Sequence, residues 1–489
     1  YSYPSYDMLY YPPECLNKNY EVHPSCTKIC KYAFYHSKFT SITIPDSVTV
    51  IDDYAFHYGN LHNVKLPSNL VRIGKYAFYY CIFTELPEKL ETIDEGAFYS
   101  CDFSSLTKIS DSVTFIGENA FYHCEMTQIE LPKNLKTMKN KMFRECNQLT
   151  EINLNENLEI IEPEAFFQIQ YLEAINVPES NRYFKSVSGV LYSYDKKRLI
   201  AYPSNKKMYL STIEETVTTI DCFAFNHFRS SVAYLPSNAV NVNDGAFYSS
   251  SITRFEKGNL QHLGKYVFAG CSELQTVNFT GLPSCDEGLF YGCSKLTSVS
   301  IQNTKITHIG DWSFAFCSRL ERADLPDVID YIGNHAFYSC KSLVYVSTES
   351  VGAADTIGDF AFYDCYLLSE FYNLYSFYLG DYAFANSGLS GCDVYCNNVG
   401  IGAFQNSQVY RIRFMIEDIH ICQDMCYECS KLSTFGFFYD VDALPSHMCY
   451  NCVSMSSFIS PENVSYIGYS AFEGCLKLTT FRIESQLSY

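Results

Sequence analysis

The nonapeptide Ile-Gly-Asp-Phe-Ala-Phe-Tyr-Asp-Cys at residues 357–365 recurs along the chain, and this recurrence constrains the fold more than any local feature. Copies stand at Ile73–Cys81, Ile116–Cys124, Ile332–Cys340 and Ile467–Cys475. Alignment on the second aromatic gives Phe34, Phe56, Phe78, Phe98, Phe121, Phe143 and Phe166, then Phe225, Phe247, Phe268, Phe290, Phe314, Phe337, Phe362, Phe384 and Phe404. Cys426, Cys449 and Phe472 complete the series. The spacing is 20 to 25 residues throughout, apart from a gap of 59 between Phe166 and Phe225. A fixed period of that length identifies a solenoid, in which each coil buries its apolar face against its neighbours.

Each coil has a grammar. Leu274, Val277 and Phe279 recur as Leu296, Val299 and Ile301, and as Leu149, Ile152 and Leu154. The last two members alternate with polar residues, which is strand spacing. A turn follows, as at Ile44-Pro45-Asp46-Ser47, and then a short extended segment such as Val48–Ile51. The nonapeptide closes the coil, read as about one helical turn. Its Ala permits close approach to the sheet, and its Phe fills the interior and stacks on the same ring of the next coil.

The expected fold is a right-handed repeat solenoid of about 19 to 20 coils, with a continuous parallel sheet on one face. Residues 1–28, with Pro4, Pro12, Pro13 and Pro24, read as an N-terminal cap. Regular repeats are expected over 29–166 and again over 216–489. Between them, 167–215 reads as an atypical segment with an inserted β-hairpin, made by Ser188–Tyr192 and Arg198–Pro203 around the turn Tyr194–Lys197. The chain begins with Tyr1 and not Met, so it reads as either processed or trimmed, and a lost signal sequence is a natural explanation. It is expected to continue beyond Tyr489, because an uncapped last coil would expose an apolar edge.

The unit Leu-x-x-hydrophobic-x-hydrophobic-Pro followed by Val-x-x-Ile-Gly-x-x-Ala-Phe-x-x-Cys resembles the BspA-type leucine-rich repeat, over residues 29 to 483 and in about 19 copies. The atypical segment is similar to one that the family carries, with Asn181, Tyr183, Gly189-Val190-Leu191-Tyr192, Asp195, Leu199-Ile200 and Tyr202-Pro203 in order. Ser188 departs from the acidic residue usual before Gly-Val-Leu-Tyr. The resemblance implies a surface or secreted protein of the kind found in bacteria and parasitic protists, associated with adhesion to host cells and matrix. It implies a binding role without naming a ligand, because the matching residues are the structural ones.

Twelve of the 22 cysteines fall three residues after the aligned position, among them Cys81, Cys124, Cys271, Cys340, Cys365 and Cys475. A metal or redox chain and a ladder of buried free thiols both fit this pattern. Stacking geometry favours the free thiols: parallel Cβ atoms in adjacent coils stand about 4.8 Å apart, whereas a disulfide needs about 3.8 Å. Cys426, Cys429, Cys449 and Cys452 also match a zinc-ribbon spacing, C-x₂-C-x₁₉-C-x₂-C. Cys426 and Cys449 nevertheless occupy the Phe slot, and Met425 and Met448 replace the Ala and refill the volume. Off the ladder, Cys15, Cys26 and Cys30, and the pair Cys392 and Cys396, are the disulfide candidates.

The 11 histidines do not cluster at ligand spacing, and no nucleophile elbow or phosphate loop is present. Glu162 and Glu164 read as a solvated face. No catalytic residue, metal or cofactor is expected. A net charge of −19 argues against nucleic acid and anionic lipid as partners. No window approaches 18 consecutive apolar residues, so no membrane-spanning segment is expected.

The lead reading is a non-enzymatic extracellular or cell-surface adhesin or recognition scaffold, binding a protein or glycan. The alternative is an intracellular structural scaffold with every cysteine reduced. Alternation along the strands places Glu151 and Asn153, Thr276 and Asn278, Ser298 and Ser300, Arg322 and Asp324, Tyr345 and Ser347, and Arg482 outward on one surface. Arg322 and Tyr345 carry hot-spot side chains in neighbouring coils. Asn278-Phe-Thr and Asn463-Val-Ser are candidate glycosylation sites.

Overall fold

A computed structural model describes residues 6–8, 19–59, 61, 63–206, 213–256, 260–278, 282–301, 304–326, 329–348, 354–371, 374–417 and 419–483. The aligned aromatics organise it. From Phe34 to Phe143, and from Phe225 to Phe404, every aligned Phe is fully buried. Consecutive rings lie face to face with centroids 5.0 Å apart for Phe34 and Phe56, 5.1 Å for Phe314 and Phe337, and 5.0 Å for Phe337 and Phe362. That separation is the spacing of strands, so the ring stack and the backbone ladders share one repeat. Further rings close the stack edge-on, as Phe83 does against Phe78 and Phe98. Beyond Phe404 the slot passes to Cys426 and Cys449, both buried, with Met425 and Met448 buried beside them.

The nonapeptide is not a helical turn. In the coil of Phe362, Ala361 N–H donates to Gly358 O at 3.3 Å, Tyr363 to Phe360 O at 3.1 Å and Cys365 to Phe362 O at 3.3 Å. The intervening N–H groups leave the coil: Phe360, Phe362 and Asp364 donate to Asp381, Ala383 and Ala385 O of the next one, at 2.8, 2.7 and 3.1 Å. Overlapping four-residue turns therefore alternate with ladder bonds along the stack. A helix would keep all its N–H groups to itself and is about 10 Å wide, twice the distance between coils. Two residues per copy take left-handed backbone to make these turns, such as Phe360 (φ 55°) and Asp364 (φ 61°), or Tyr76 (φ 50°) and Tyr80 (φ 56°). Each costs about 1–2 kcal/mol in a residue with a Cβ, offset by the ladder bonds it permits.

The Gly of Ile-Gly serves close approach. A Cβ on Gly358 would lie 2.6 Å from Asn334 Oδ1 and 2.7 Å from Asn334 N. Beside it, in four successive coils, the residue after the Gly caps the coil that follows. Asn334 N–H donates to Asp311 Oδ1, Asp359 to Asn334 Oδ1, Asp381 to Asp359 Oδ1 and Ile401 to Asp381 Oδ1, all at 2.7–2.8 Å.

Strand pairing between coils is parallel and runs in sections, chiefly in two ladders, where one continuous sheet was expected; within the nonapeptides Phe78–Tyr79 and Phe98–Tyr99 form a further short pair. The Val-x-x-Ile segments form one ladder: Tyr6–Met8, Cys26–Ile29, Val50–Ile51, Arg72–Ile73, Thr92–Ile93 and Phe115–Ile116 pair in that order. The Leu-x-x-Val segments form the other, as in Gln128–Glu130, Glu151–Asn153 and Ala174–Asn176. Turns and prolines separate the two in most coils; in one, the single strand Gly391–Val399 joins them, pairing Arg411–Phe414 at its start and His420–Ile421 at its end. The atypical segment holds three antiparallel strands where a two-stranded hairpin was read: Phe184–Val187, Val190–Ser193 and Arg198–Ala201. Its Tyr192 is fully buried, and Arg198 returns the chain to parallel pairing with Thr219.

Two compact units are distinguishable, Tyr1–Arg229 with Pro236–Ala239 and Ser230–Leu235 with Val240–Tyr489. Each is a stack of coils coupled chiefly to their neighbours. Phe337→Ala is expected to cost about 3–5 kcal/mol locally. Hydrogen exchange should rise first within residues 310–365; uniform loosening of the chain would contradict nearest-neighbour coupling.

Candidate functional site

The Leu-x-x-Val strands turn alternate side chains outward, and in the second unit four of them lie side by side. Ser298–Ser300, Arg322–Leu325, Tyr345–Thr348 and Glu370–Phe371 pair in register, which aligns Ser298, Arg322, Tyr345 and Glu370 in one row. Val299, Ala323 and Val346 are buried beneath. Arg322 Nε donates to both carboxylate oxygens of Asp324 at 2.8 Å. Its guanidinium carbon stands 4.6 Å from the centroid of the Tyr345 ring. The bond to Asp324 strengthens the hold of the guanidinium on its proton. Arg322 is thereby fixed by an acid on its own strand and an aromatic face on the next, and it is still exposed.

The other outward residues are distributed elsewhere. Thr276 and Asn278 are exposed beside the short pair Arg254–Phe255 and Thr276–Val277. Val277, expected to sit in the core, is only half-buried; Phe279 lies outside the described residues. Ser347 is in register with Asp324. Ser300 and Arg482 are exposed. Glu151 and Asn153 belong to the first unit, where Asn176 Nδ2 donates to Glu151 Oε1 at 2.7 Å and to Asn153 Oδ1 at 2.9 Å. A cleft of about 520 Å³ opens there, floored by Leu131 and Leu154 and edged by Glu130, Asn153, Asn176 and Lys133.

One outward cluster was missed by sequence reading. Arg413 grips Asp393 with Nε and Nη2 at 2.9 and 2.7 Å, and Arg411 Nη2 stands 3.7 Å from the same carboxylate. They face each other across Gly391–Val399 and Arg411–Phe414. The same period-two rule that selected Arg322 would have selected them.

The thiol ladder has a hydrogen-bonding role. Cys365 Sγ donates to Phe337 O at 3.2 Å, Cys340 to Phe314 O at 3.1 Å and Cys124 to Phe98 O at 2.9 Å, each reaching the aromatic position of the preceding coil. Burial pushes the Cys271 and Cys285 thiols up to about 12, and raises Cys365 likewise. Cys26, Cys30, Cys392 and Cys396 are reduced thiols, and Cys15 lies outside the described residues. Cys392 and Cys396 point inward from one strand four residues apart. About 13 Å of strand separates them, too far for a disulfide with each other. Cys426, Cys429, Cys449 and Cys452 are reduced and buried; among the described residues no three His, Cys, Asp or Glu side chains gather to hold a metal ion. Among them also, no helix is long and apolar enough to cross a membrane. Of the sequons, Asn278 and Asn463 are both exposed, and Asn463 Nδ2 donates to Asp440 Oδ2 at 2.7 Å.

The family model for the BspA type leucine rich repeat region matches residues 27–86, 82–188, 201–305, 283–410 and 378–489, in 6 copies. No curated protein matches the sequence. Among solved structures, the chain is similar to a leucine-rich repeat protein of Eubacterium ventriosum, at 21% identity, 76% of this chain, 83% of that one and a TM-score of 0.49. It is also similar to a leucine rich cell surface protein of Faecalibacterium prausnitzii, at 21% identity, 68% and 88% of the two chains and a TM-score of 0.49. A leucine-rich repeat protein of Bacteroides ovatus matches at 23% identity, 78% and 88% coverage and a TM-score of 0.42.

Because a buried thiol stays protonated and unreactive, a thiol reagent at pH 8 is expected to label the half-buried Cys30, Cys222, Cys422 and Cys475 before the other described cysteines. The buried ladder thiols should react only on unfolding. Peptide mapping that finds Cys340 and Cys365 labelled at the rate of Cys222 would contradict their sealed packing.

Proposed function

The chain belongs to the BspA-type leucine-rich repeat family, and from that premise we propose that it is a non-enzymatic recognition scaffold acting at or outside the cell surface. Its partner is a protein or glycan, met by the outward face of the Leu-x-x-Val strands. The principal contact is the row around Arg322 and Tyr345. The observation that carries this reading is the geometry of Arg322, held by Asp324 and laid over Tyr345. Arginine and tyrosine are the side chains on which interfaces concentrate their binding energy. Holding them in place beforehand removes part of the ordering cost of association. On one side of the pair, Ser298 and Ser300 present exposed neutral hydroxyls. Glycans at Asn278 and Asn463 belong to the same reading, since both side chains are accessible.

The intracellular scaffold has one observation in its favour. Every described cysteine is a reduced thiol, as in a reducing compartment. The ladder weakens that argument, because thiols sealed in a core survive in either compartment. Glycosylated Asn278 or Asn463 in the native protein supports the outside, and an unmodified chain recovered from cytosol supports the inside.

The site is tested by binding of the labelled chain to whole cells and to immobilised extracellular-matrix proteins. The Arg322→Ala/Tyr345→Ala double variant is expected to lose affinity ten-fold or more, as a hot-spot truncation costs about 2 kcal/mol. Unchanged binding with the fold intact would move the contact off this row.

A further inference from the structure

The corner that follows the nonapeptide has a fixed length over most of the second unit. Cys271-Ser-Glu-Leu274 is repeated as Cys293–Leu296, Cys317–Leu320, Cys340–Leu343 and Cys365–Leu368, and again as Cys429–Leu432, Cys452–Met455 and Cys475–Leu478. Two successive coils between these runs are one residue shorter, Ser387-Gly-Leu389 and Ser407-Gln-Val409. Both also carry Ser where the ladder has Cys. In the longer corners the Leu N–H closes onto its own Cys carbonyl, as Leu368 does to Cys365 at 3.1 Å and Leu432 to Cys429 at 3.0 Å. In the short corners the N–H groups of Gly388 and Gln408 reach back to Cys365 and Ser387 of the preceding coils, both at 3.0 Å. A Cβ on Gly388 would overlap the carbonyl of Tyr366, so the first of the two corners needs glycine there, whereas the second carries Gln408.

Two short corners between longer ones make a notch. It is a cleft of about 290 Å³ lined by Tyr366, Asn386, Ser387, Asn406 and Gln408. Tyr366, from the full-length corner just before them, is half-exposed and forms one wall. Asn406 Nδ2 donates to Asn386 Oδ1 at 2.8 Å, and Asn386 Nδ2 to Asp364 Oδ1 at 3.1 Å. This chain of amides leaves valences over. An amide nitrogen carries two protons, so each Asn has a second N–H, and Asn406 Oδ1 and the whole Gln408 amide have no side-chain partner among the described residues. Ser387 Oγ is buried without a partner, because its shorter bond does not reach the carbonyl that the thiols reach.

We propose that this notch is a binding site for a neutral sugar, at the size of a single pyranose ring. Amides that both donate and accept match hydroxyls, which do the same. The face of Tyr366 offers an apolar wall for the C–H face of a pyranose. Lys341 Nζ stands 6.0 Å from the centre of that ring and Asp364 anchors the amide chain, so the local charge balances and selects against ionised ligands. The concavity with a few convergent polar groups is the usual form of a small-ligand site. It lies at the turn corner, separate from the Arg322 row, and stands or falls independently of it.

Saturation-transfer NMR on the whole chain tests the site, with the methyl glycosides of glucose, galactose, mannose, N-acetylglucosamine and fucose as probes at millimolar concentration. At least one is expected to receive saturation. Asn406→Ala and Tyr366→Ala should each weaken it ten-fold or more with an unchanged melting temperature, and Arg322→Ala/Tyr345→Ala should leave it as it was. Gln408→Trp, which fills the notch, should abolish it. Silence from all five sugars, full binding in Asn406→Ala and Tyr366→Ala, or equal binding of glucuronate would overturn the proposal.

Discussion

No coil of this chain can bury its own ring. Phe337 is sealed only because Phe314 and Phe362 lie 5.1 and 5.0 Å to either side, and each of those needs its neighbour in turn. The rest of the coil obeys that spacing. A segment that must repeat about every 5 Å, the spacing of strands, has no room for a helix. The nonapeptide therefore folds as tight turns that give every second N–H to the next coil. That solution needs left-handed residues, a glycine against the preceding backbone, and Asp or Asn side chains to cap the remaining N–H groups. The aromatic stack and the backbone ladder are two expressions of one translation.

The translation was legible in the sequence because side chains of one type recur at one interval. The buried Phe series, the inward cysteines and the alternation at Arg322–Leu325 follow from period alone. The conformation of the nonapeptide did not. Ala-Phe-Tyr in a run of nine is compatible with a helix locally, and only the distance to the next coil forbids it. The thiol-to-carbonyl bonds were hidden for a related reason: the acceptor, Phe337 O for Cys365, lies 28 residues away in sequence. The third antiparallel strand, Phe184–Val187, was missed because its Phe-Lys-Ser-Val lacks clean alternation.

Candidate binding residues divide along the same line. Repetition marks the residues that hold the coils together, so it is silent about recognition by construction. What recognition needs is found where the repeat is decorated or broken. Arg322 decorates it, at a position where neighbouring coils carry Ser298 and Tyr345. The corners at Ser387 and Ser407 are one residue shorter than those on either side, a difference visible in the amino-acid sequence itself. Neither feature names a partner; both give a chemistry that a partner must satisfy.

The most direct test of the stacked-coil account is a pair of double-mutant cycles, read as opening free energies from native-state hydrogen exchange. Phe337→Leu combined with Phe362→Leu should show a coupling of about 0.5–1.5 kcal/mol, the size of a stacked aromatic pair. Phe337→Leu combined with Phe78→Leu, in the other unit, should be additive to within about 0.5 kcal/mol. Additivity between the adjacent rings, or equal coupling between the distant ones, would contradict a fold held together coil by coil.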